Sequence, residues 1–129
     1  MRRIVPDASA LALVIFGDPE GEAVSRELDG AALFAPTLLR YELQCVAARA
    51  CRRQPGRRAQ VLESLESALA PQAGIVWLDP NPVDVVLVAT ATGLSTYDAS
   101  YLCLAGTLEA DLVTRDRKLS AALDPSSGE

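Results

Sequence analysis

The chain has 129 residues, a net charge of −5 and a sequence pI of about 4.7, and 50% of its residues are apolar. This length corresponds to one domain that can bury a substantial core. The chain contains no histidine, which excludes a Ser-His-Asp triad, a Cys-His pair and the common zinc sites. The acidic balance also argues against a protein that coats nucleic acid through overall positive charge.

The three cysteines, Cys45, Cys51 and Cys103, form no CxxC pair and no metal-ligand spacing. An odd number of cysteines without a secretion signal favours reduced thiols. Cys45 and Cys103 lie within apolar helical patterns, where a thiol behaves as a small hydrophobic group. Since no apolar stretch is long enough to cross a membrane and no signal-peptide pattern precedes the first elements, we expect a cytoplasmic protein without membrane contact.

Basic residues are unevenly distributed along the chain, which allows local positive patches on an acidic body. Two of them, Arg57 and Arg58, open a predicted helix, where positive charge opposes the macrodipole. Either anion binding or ordinary tolerance at a solvated helix end would explain these two. One group comprises Arg49, Arg52, Arg53, Arg57 and Arg58, and a second comprises Arg115, Arg117 and Lys118 around Asp116.

Strand and helix patterns alternate along the chain in the order β-α-α-β-α-α-β-α-α-β-α. Apolar residues at helical spacing predict the helices, and short buried runs bounded by Gly or Pro predict the strands. The predicted strands cover residues 2–6, 31–35, 75–78 and 110–114. The predicted helices cover about 9–16, 20–28, 38–52, 57–69 and 82–92, followed by one that starts at Ser95 or Thr96 and one after Asp116.

This alternation predicts a single α/β domain over residues 1–129. Strands alternating with helices imply a three-layer α/β/α arrangement with a central parallel sheet of four to five strands and right-handed crossovers. Ser9 and Thr37 are the predicted N-caps of their helices. The polar segment 124–129 is predicted to be a frayed tail.

Four carboxylates lie where the predicted topology could bring them together. Asp7 and Asp116 follow strands directly, Asp98 lies in the first turn of a helix, and Glu42 lies at the margin of a buried helix face. Ligands of open α/β sheets bind outside the carboxyl ends of the strands. Clustered carboxylates repel one another, a divalent cation relieves that cost, and oxygen ligands favour Mg²⁺ or Mn²⁺ over zinc. The chemistry that suits such a site is phosphoryl or phosphodiester transfer.

Each of these acids also has an ordinary structural explanation. Acidic residues suit helix N-termini, which would account for Asp98. A glutamate at the border of a buried face, such as Glu42, is usually solvated or paired with a basic residue. The residues alone leave both explanations open.

Four motifs together carry a resemblance to a known family. They are Ile-Val-Pro-Asp-Ala-Ser at 4–9, Ala-Pro-Thr-Leu-Leu-Arg-Tyr-Glu-Leu at 35–43, Tyr-Asp-Ala-Ser-Tyr-Leu-Cys-Leu-Ala at 97–105 and Leu-Val-Thr-Arg-Asp-Arg-Lys-Leu at 112–119. With them the chain resembles the PIN-domain ribonucleases, and most closely the VapC-type toxins of bacterial toxin–antitoxin pairs. The resemblance covers nearly the whole chain and predicts a PIN-like fold.

The resemblance implies a role for each of the four acids. Asp7 and Asp98 would be the direct ligands of Mg²⁺ or Mn²⁺, and Glu42 and Asp116 would complete the catalytic site, partly through waters. The implied activity is an endoribonuclease that hydrolyses RNA phosphodiester bonds with a metal-activated water, leaving a 5′-phosphate and a 3′-hydroxyl. The implied partners are a VapB-type antitoxin, whose tail would lie in a groove between apolar helices near the N-terminus, and a second copy in a homodimer.

Neighbouring residues have two explanations under this resemblance. Ser9 and Thr114 would support Asp7 and Asp116 through their hydroxyls, or would only cap backbone groups. The basic residues around Asp116 would neutralise substrate phosphate, or would form a solvated helix start. Two departures from the family pattern are Cys45, where many relatives carry an asparagine, and residues 121–125, which supply no clear fifth strand.

Two further classes of protein fit the sequence less well. A non-catalytic PIN-like module that binds RNA or protein would gain nothing from the repulsion of four acids. A phosphoacceptor receiver domain would need adjacent acids after the first strand and a lysine after a late strand. Here Asp7 follows Val-Pro, and the only lysine, Lys118, follows Asp116, which argues against this class. The RNA target, whether transfer, ribosomal or messenger RNA, is left open by the sequence.

Overall fold

Parallel strands and connecting helices alternate throughout the computed structural model, which describes residues 1–123. The strands are β1 (Arg3–Pro6), β2 (Ala32–Ala35), β3 (Val76–Trp77) and β4 (Asp111–Val113). The helices are α1 (Ala8–Ile15), α2 (Gly21–Leu28), α3 (Leu38–Arg53), α4 (Arg58–Leu69), α5 (Pro82–Thr92), α6 (Thr96–Leu108) and α7 (Arg117–Leu123), with short 3₁₀ turns at Pro55–Arg57 and Pro71–Ala73. The predicted order of elements is confirmed.

Within residues 1–123 the sheet has four parallel strands in the order β3-β2-β1-β4. Ile4 of β1 lies opposite Leu33 of β2 on one side and Asp111 of β4 on the other. The chain therefore builds outward from β1 in one direction and returns to its other side with β4. Such a reversal of strand order opens a crevice at the carboxyl ends of the strands.

Helices cover both faces of the sheet because successive residues of β1 point to opposite sides. Val5 packs with Leu39 and Leu43 of α3 and with Tyr101 of α6 in the larger core cluster. Ile4, on the opposite face, packs with residues of α1, α2 and β4 in a second cluster. The predicted three-layer α/β/α arrangement with a central parallel sheet is confirmed.

Two predicted helix caps are wrong. Asp7, not Ser9, caps α1, because its carboxylate accepts the backbone N–H of Ala10 at 3.0 Å. Thr37 precedes α3 but makes no side-chain cap, since both its N–H and its hydroxyl donate to the Asp79 carboxylate. For α1, the cap depends on where β1 ends. For α3, it depends on Asp79, a residue distant in sequence.

The predicted limits differ most at the sheet edge and at the C-terminus. Strand β3 covers two residues where four were predicted, and among the described strands it pairs with β2 alone. Residues 117–123 form α7, so they contribute no fifth strand. The predicted frayed tail at 124–129 lies outside the described residues.

The cysteines are free, as predicted, but their environments differ. Cys103 is buried, whereas Cys45 is exposed because it lies on the side of α3 opposite Leu43. The interpretation of Cys45 as a small core residue is therefore wrong. Within residues 1–123 no helix combines the length and the apolar character needed to cross a membrane.

The start of α2 requires a glycine, because Gly21 lies against the backbone of α1. A methyl group at this position would lie 2.6 Å from the carbonyl carbon of Leu13 and closer still to its oxygen. We expect Gly21→Ala to lower the free energy of unfolding by about 1–3 kcal/mol, as overpacking against rigid groups does. Urea denaturation measures this change.

Gly106 provides the matched control for this substitution. It lies inside α6, where an added methyl group meets no atom within 4 Å. Gly106→Ala should therefore raise the stability by about 0.5–1 kcal/mol, since alanine loses less backbone entropy in a helix. Equal shifts of the same sign in the two variants would contradict the close approach of α2 to α1.

Candidate functional site

The four predicted acids come from four segments that meet at the carboxyl edge of the sheet. Asp7 follows β1, Asp116 follows β4, Asp98 lies in the first turn of α6, and Glu42 lies early in α3. Glu42 lies within range of the charges of Asp98 and Asp7, and Asp98 within range of the charges of Asp116 and Asp7. The structure thus brings together all four residues that the sequence singled out.

Asp7 is 4% exposed and is held by bonds to both carboxylate oxygens. Its Oδ1 accepts the Ser9 hydroxyl at 2.7 Å and the Ala10 N–H at 3.0 Å. Its Oδ2 accepts the Thr114 hydroxyl at 2.6 Å. A carboxylate oxygen has two lone pairs, so Oδ1 is fully used and Oδ2 keeps one acceptor position.

Ser9 and Thr114 fasten the segment after β4 to Asp7. Each hydroxyl has one proton, which it donates to Asp7, and each oxygen also accepts a backbone N–H. The Arg115 N–H donates to Ser9 at 2.9 Å, and the Asp116 N–H donates to Thr114 at 3.0 Å. The two hydroxyls therefore support the acids and also cap backbone groups. The two roles that the sequence analysis gave as alternatives occur together.

Asp116 has a structural task of its own at the start of α7. Its Oδ1 accepts the Leu119 N–H at 3.1 Å, which satisfies one of the free donors of the helix N-terminus. Leu119 is fully buried in the core. The orientation of Asp116 is therefore coupled to the packing of α7.

Tyr101 is a site residue that sequence reasoning missed. It lies among the apolar core residues of α6 and is 1% exposed. Its hydroxyl, however, donates to Glu42 Oε1 at 2.5 Å. A buried tyrosine hydroxyl needs a partner, and Tyr101 follows Asp98 by three residues on the same helix side, which was the available signal.

Burial and the charges of neighbouring acids change the pKa values of Glu42 and Asp98. Burial raises the pKa of Glu42; the Tyr101 hydrogen bond opposes this shift, while the charges of Asp98 and Asp7 add to it. Burial also raises the pKa of Asp98, reinforced by the charges of Asp116 and Asp7. The site therefore carries negative charge that the protein leaves incompletely compensated.

Of the basic residues around Asp116, Lys118 is the one that acts on the acids, since its charge lowers the pKa of Asp98. Arg115 does not contact the four acids through its guanidinium, which donates to Glu27 at 2.9 Å and to the Thr114 carbonyl at 3.2 Å. The suggested role of Arg115 in neutralising substrate phosphate therefore receives no support from its contacts.

The donor chemistry of the site suits a hard divalent cation. All four candidate ligands are carboxylates, and oxygen donors favour Mg²⁺ or Mn²⁺. In residues 1–123 no three acidic or cysteine side chains form a ready-made metal cage. Charged carboxylates near one another repel, and a bound cation would relieve that repulsion. The residues present therefore fit such an ion in kind.

Without divalent metal, stability should depend on pH through Asp98. Since its pKa is raised, the folded chain holds more protons than the unfolded chain between the ordinary and the raised pKa. The contribution of Asp98 to the free energy of unfolding thus falls as the pH rises from the ordinary to the raised pKa. Above the raised pKa this destabilisation is complete. Thermal melts in EDTA should show Asp98→Asn above the wild type in Tm at neutral pH. A Tm difference that does not shrink as pH falls below the window would contradict this account.

The fold and the acidic crevice define a class of protein: a parallel α/β domain with convergent carboxylates at the switch point of its sheet. The sequence model of the PIN domain matches residues 4–123. The chain belongs to the PIN-domain family. PIN domains are generally metal-dependent nucleases, and PIN nucleases bind RNA.

A solved structure supports the same assignment. The chain is 28% identical to PAE2754 from Pyrobaculum aerophilum, whose crystal structure it matches with a TM-score of 0.74. The match covers 94% of this chain and 79% of that chain. No curated protein matches the chain.

Proposed function

We propose that the chain is a Mg²⁺- or Mn²⁺-dependent endoribonuclease that acts as the VapC-type toxin of a toxin–antitoxin pair. The observation that carries this proposal is the meeting of four carboxylates from four segments at the carboxyl edge of the sheet. A scaffold without catalytic activity would gain nothing from their repulsion. Membership of the PIN family supplies the reaction class.

Asp7 and Asp98 are the proposed metal ligands. Asp7 is fixed by Ser9 and Thr114 and keeps one acceptor position on Oδ2, and Asp98 is aimed from the first turn of α6. A bound cation would acidify a water and neutralise charge on the phosphodiester. Rigid ligands favour this chemistry because the site needs little rearrangement during the reaction.

Glu42 and Asp116 are the proposed partners of the waters in the site. Glu42 is held through Oε1 by Tyr101, which leaves Oε2 to accept a proton from the attacking water. Its raised pKa makes it a better proton acceptor than an ordinary carboxylate. Asp116, fixed by its cap on α7, would orient a second water.

Two partners belong to the same proposal. A VapB-type antitoxin would neutralise the toxin, and two copies of the chain would form a homodimer. Support comes from the four motifs shared with VapC-type toxins and from the exposed apolar stripe on α5, formed by Val83, Val86 and Leu87, which a second copy could cover.

The test is cleavage of total cellular RNA by the purified protein in Mg²⁺, in Mn²⁺ and in EDTA. We expect discrete fragments with 5′-phosphate ends that require metal and disappear in EDTA. Protein shown to be folded by circular dichroism that binds RNA without cutting it would instead favour the non-catalytic PIN-like module. Absence of both cutting and a Mn²⁺-dependent rise in Tm would overturn the metal site.

Removing the Tyr101 hydroxyl should shift the pH dependence of cleavage. The hydrogen bond from Tyr101 lowers the pKa of Glu42, so Tyr101→Phe raises that pKa and Glu42 ionises only at higher pH. The acidic limb of the pH–rate profile should therefore move to higher pH. Tyr97→Phe, an exposed tyrosine next to Asp98, is the matched control and should leave the limb in place. If the pH–rate profiles of Tyr101→Phe and Tyr97→Phe coincide, Glu42 does not accept the proton from the attacking water.

A further inference from the structure

Positive charge on this acidic protein is concentrated in one short segment. Residues 49–58 contain five arginines and no acidic residue. The net charge of −5 is thus the balance of +5 over this segment and −10 over the rest of the chain. A local field of this kind can attract a polyanion even when the whole protein is acidic.

The five arginines form one surface, which we call the α3–α4 patch. Arg49, Arg52 and Arg53 lie in the last turns of α3, and Arg57 and Arg58 lie where α4 begins, after the turn at Pro55–Arg57. Since α3 and α4 pack against each other, these two helix ends lie together. All five side chains are exposed.

Helix stability does not account for the patch. Within residues 1–123 none of the five arginines forms an ion pair; Arg57 shares its guanidinium only with the side-chain amides of Gln54 and Gln60. Arg52 and Arg53 suit the negative end of the α3 dipole, but positive charge at the start of α4 opposes the dipole there. Arginines spaced three and four residues apart also repel.

The patch continues the side of α3 that carries Glu42. Arg49 and Arg53 follow Glu42 by seven and eleven residues, close to two and three helical turns. They therefore return to nearly the same side of the helix, about 10.5 and 16.5 Å further along its axis. A strand leaving the acid site along this side of α3 would pass both side chains.

We infer that the α3–α4 patch binds the phosphate backbone of the RNA strand that extends from the acidic site. The inference rests on the proposed ribonuclease function. Guanidinium groups bind phosphate oxygens through paired, charge-assisted hydrogen bonds, and such backbone contacts position a nucleic acid without reading its sequence. An acidic polypeptide would also be attracted, but the alignment of the patch with Glu42 favours the RNA that the same site would cut.

The experiment measures binding separately from cleavage. The background is Asp98→Asn, and the probe is a fluorescently labelled single-stranded RNA whose anisotropy is followed over a range of salt concentrations. Arg49→Gln/Arg53→Gln removes two charges from the patch, and Arg2→Gln/Arg26→Gln removes two exposed charges that are paired with carboxylates elsewhere. Arg57→Gln/Arg58→Gln is a second patch variant on α4, and thermal melts check that all variants fold.

We expect both patch variants to bind RNA more weakly and with a flatter salt dependence. Each lost phosphate contact lowers the slope of log K against log salt by about 0.7 for a single strand, so two lost contacts lower it by about 1.4. The paired control should keep the slope of its background. These results would support the inference.

Patch and control variants with equal affinities and equal slopes would overturn it. So would loss of binding to poly-glutamate in the patch variants while RNA binding is retained, since the patch would then face an acidic protein. Cleavage by the wild-type chain is scored independently. If the wild type cuts RNA but the patch variants keep the salt slope of their background, only the inference about the patch is wrong. If the patch variants show a flatter salt slope but the wild type never cuts RNA, only the proposed nuclease function is wrong.

Discussion

Replacing Asp98 with asparagine should lower metal-dependent RNA cleavage by more than about 100-fold and leave the fold intact. Loss of a residue that merely supports a metal ligand costs about 10–100-fold, so loss of a proposed ligand should cost more. The fold should survive because the cap of α6 uses the backbone N–H of residue 98, which donates to the Ser95 hydroxyl at 3.1 Å. Single-turnover cleavage of a labelled RNA at saturating Mg²⁺ measures the effect.

Asp29→Asn is the matched control for this change. Asp29 is the C-cap of α2, is exposed, and is not one of the four acids. The control therefore makes the same change of aspartate to asparagine outside the site. It should cleave RNA at the wild-type rate. Comparable rates for the Asp98 variant and the wild type would show that Asp98 is an ordinary acid at a helix N-terminus, and the proposed metal site would have to be abandoned.

Replacing Thr114 with valine should lower cleavage by about 10–100-fold and the free energy of unfolding by about 1–3 kcal/mol. Valine keeps the shape of threonine but removes the hydroxyl that donates to Asp7 Oδ2 and accepts the Asp116 N–H. Two of the four acids thus lose their relative alignment at once. Urea denaturation and the cleavage assay report the two effects separately.

Thr107→Val provides the comparison for Thr114→Val. The Thr107 hydroxyl donates to the Cys103 carbonyl one turn earlier in α6, away from the four acids. Its loss should change stability slightly and cleavage not at all. If Thr114→Val behaves like Thr107→Val in both assays, the hydroxyl network around Asp7 is not what orders the acids.

Local patterns were sufficient to predict the succession of elements. Apolar spacing identified the helices, and short runs such as residues 31–35, closed by Pro36, identified the strands. Because strands joined by helices run parallel, their carboxyl ends meet at one edge, and the sequence alone places Asp7 and Asp116 there.

Contacts between distant segments could not be predicted in the same way. Tyr101 and Glu42 are 59 residues apart, and Arg115 and Glu27 are 88 residues apart, so neither pairing leaves a trace in local periodicity. The cap of α1 was also undecided, because Asp and Ser are both good N-caps and stand two residues apart. Which one caps depends on where β1 ends, and that is fixed by its pairing with β4.

The use of Asp7 as both helix cap and candidate ligand limits how the protein can be silenced. A substitution there that removes the acid also removes the bond that begins α1, so loss of activity and loss of the native state would arrive together. Asp98 carries no such second duty, since Ser95 begins its helix. For the proposed ribonuclease, an inactive but natively folded variant that can be trapped with uncut RNA should therefore be made at Asp98.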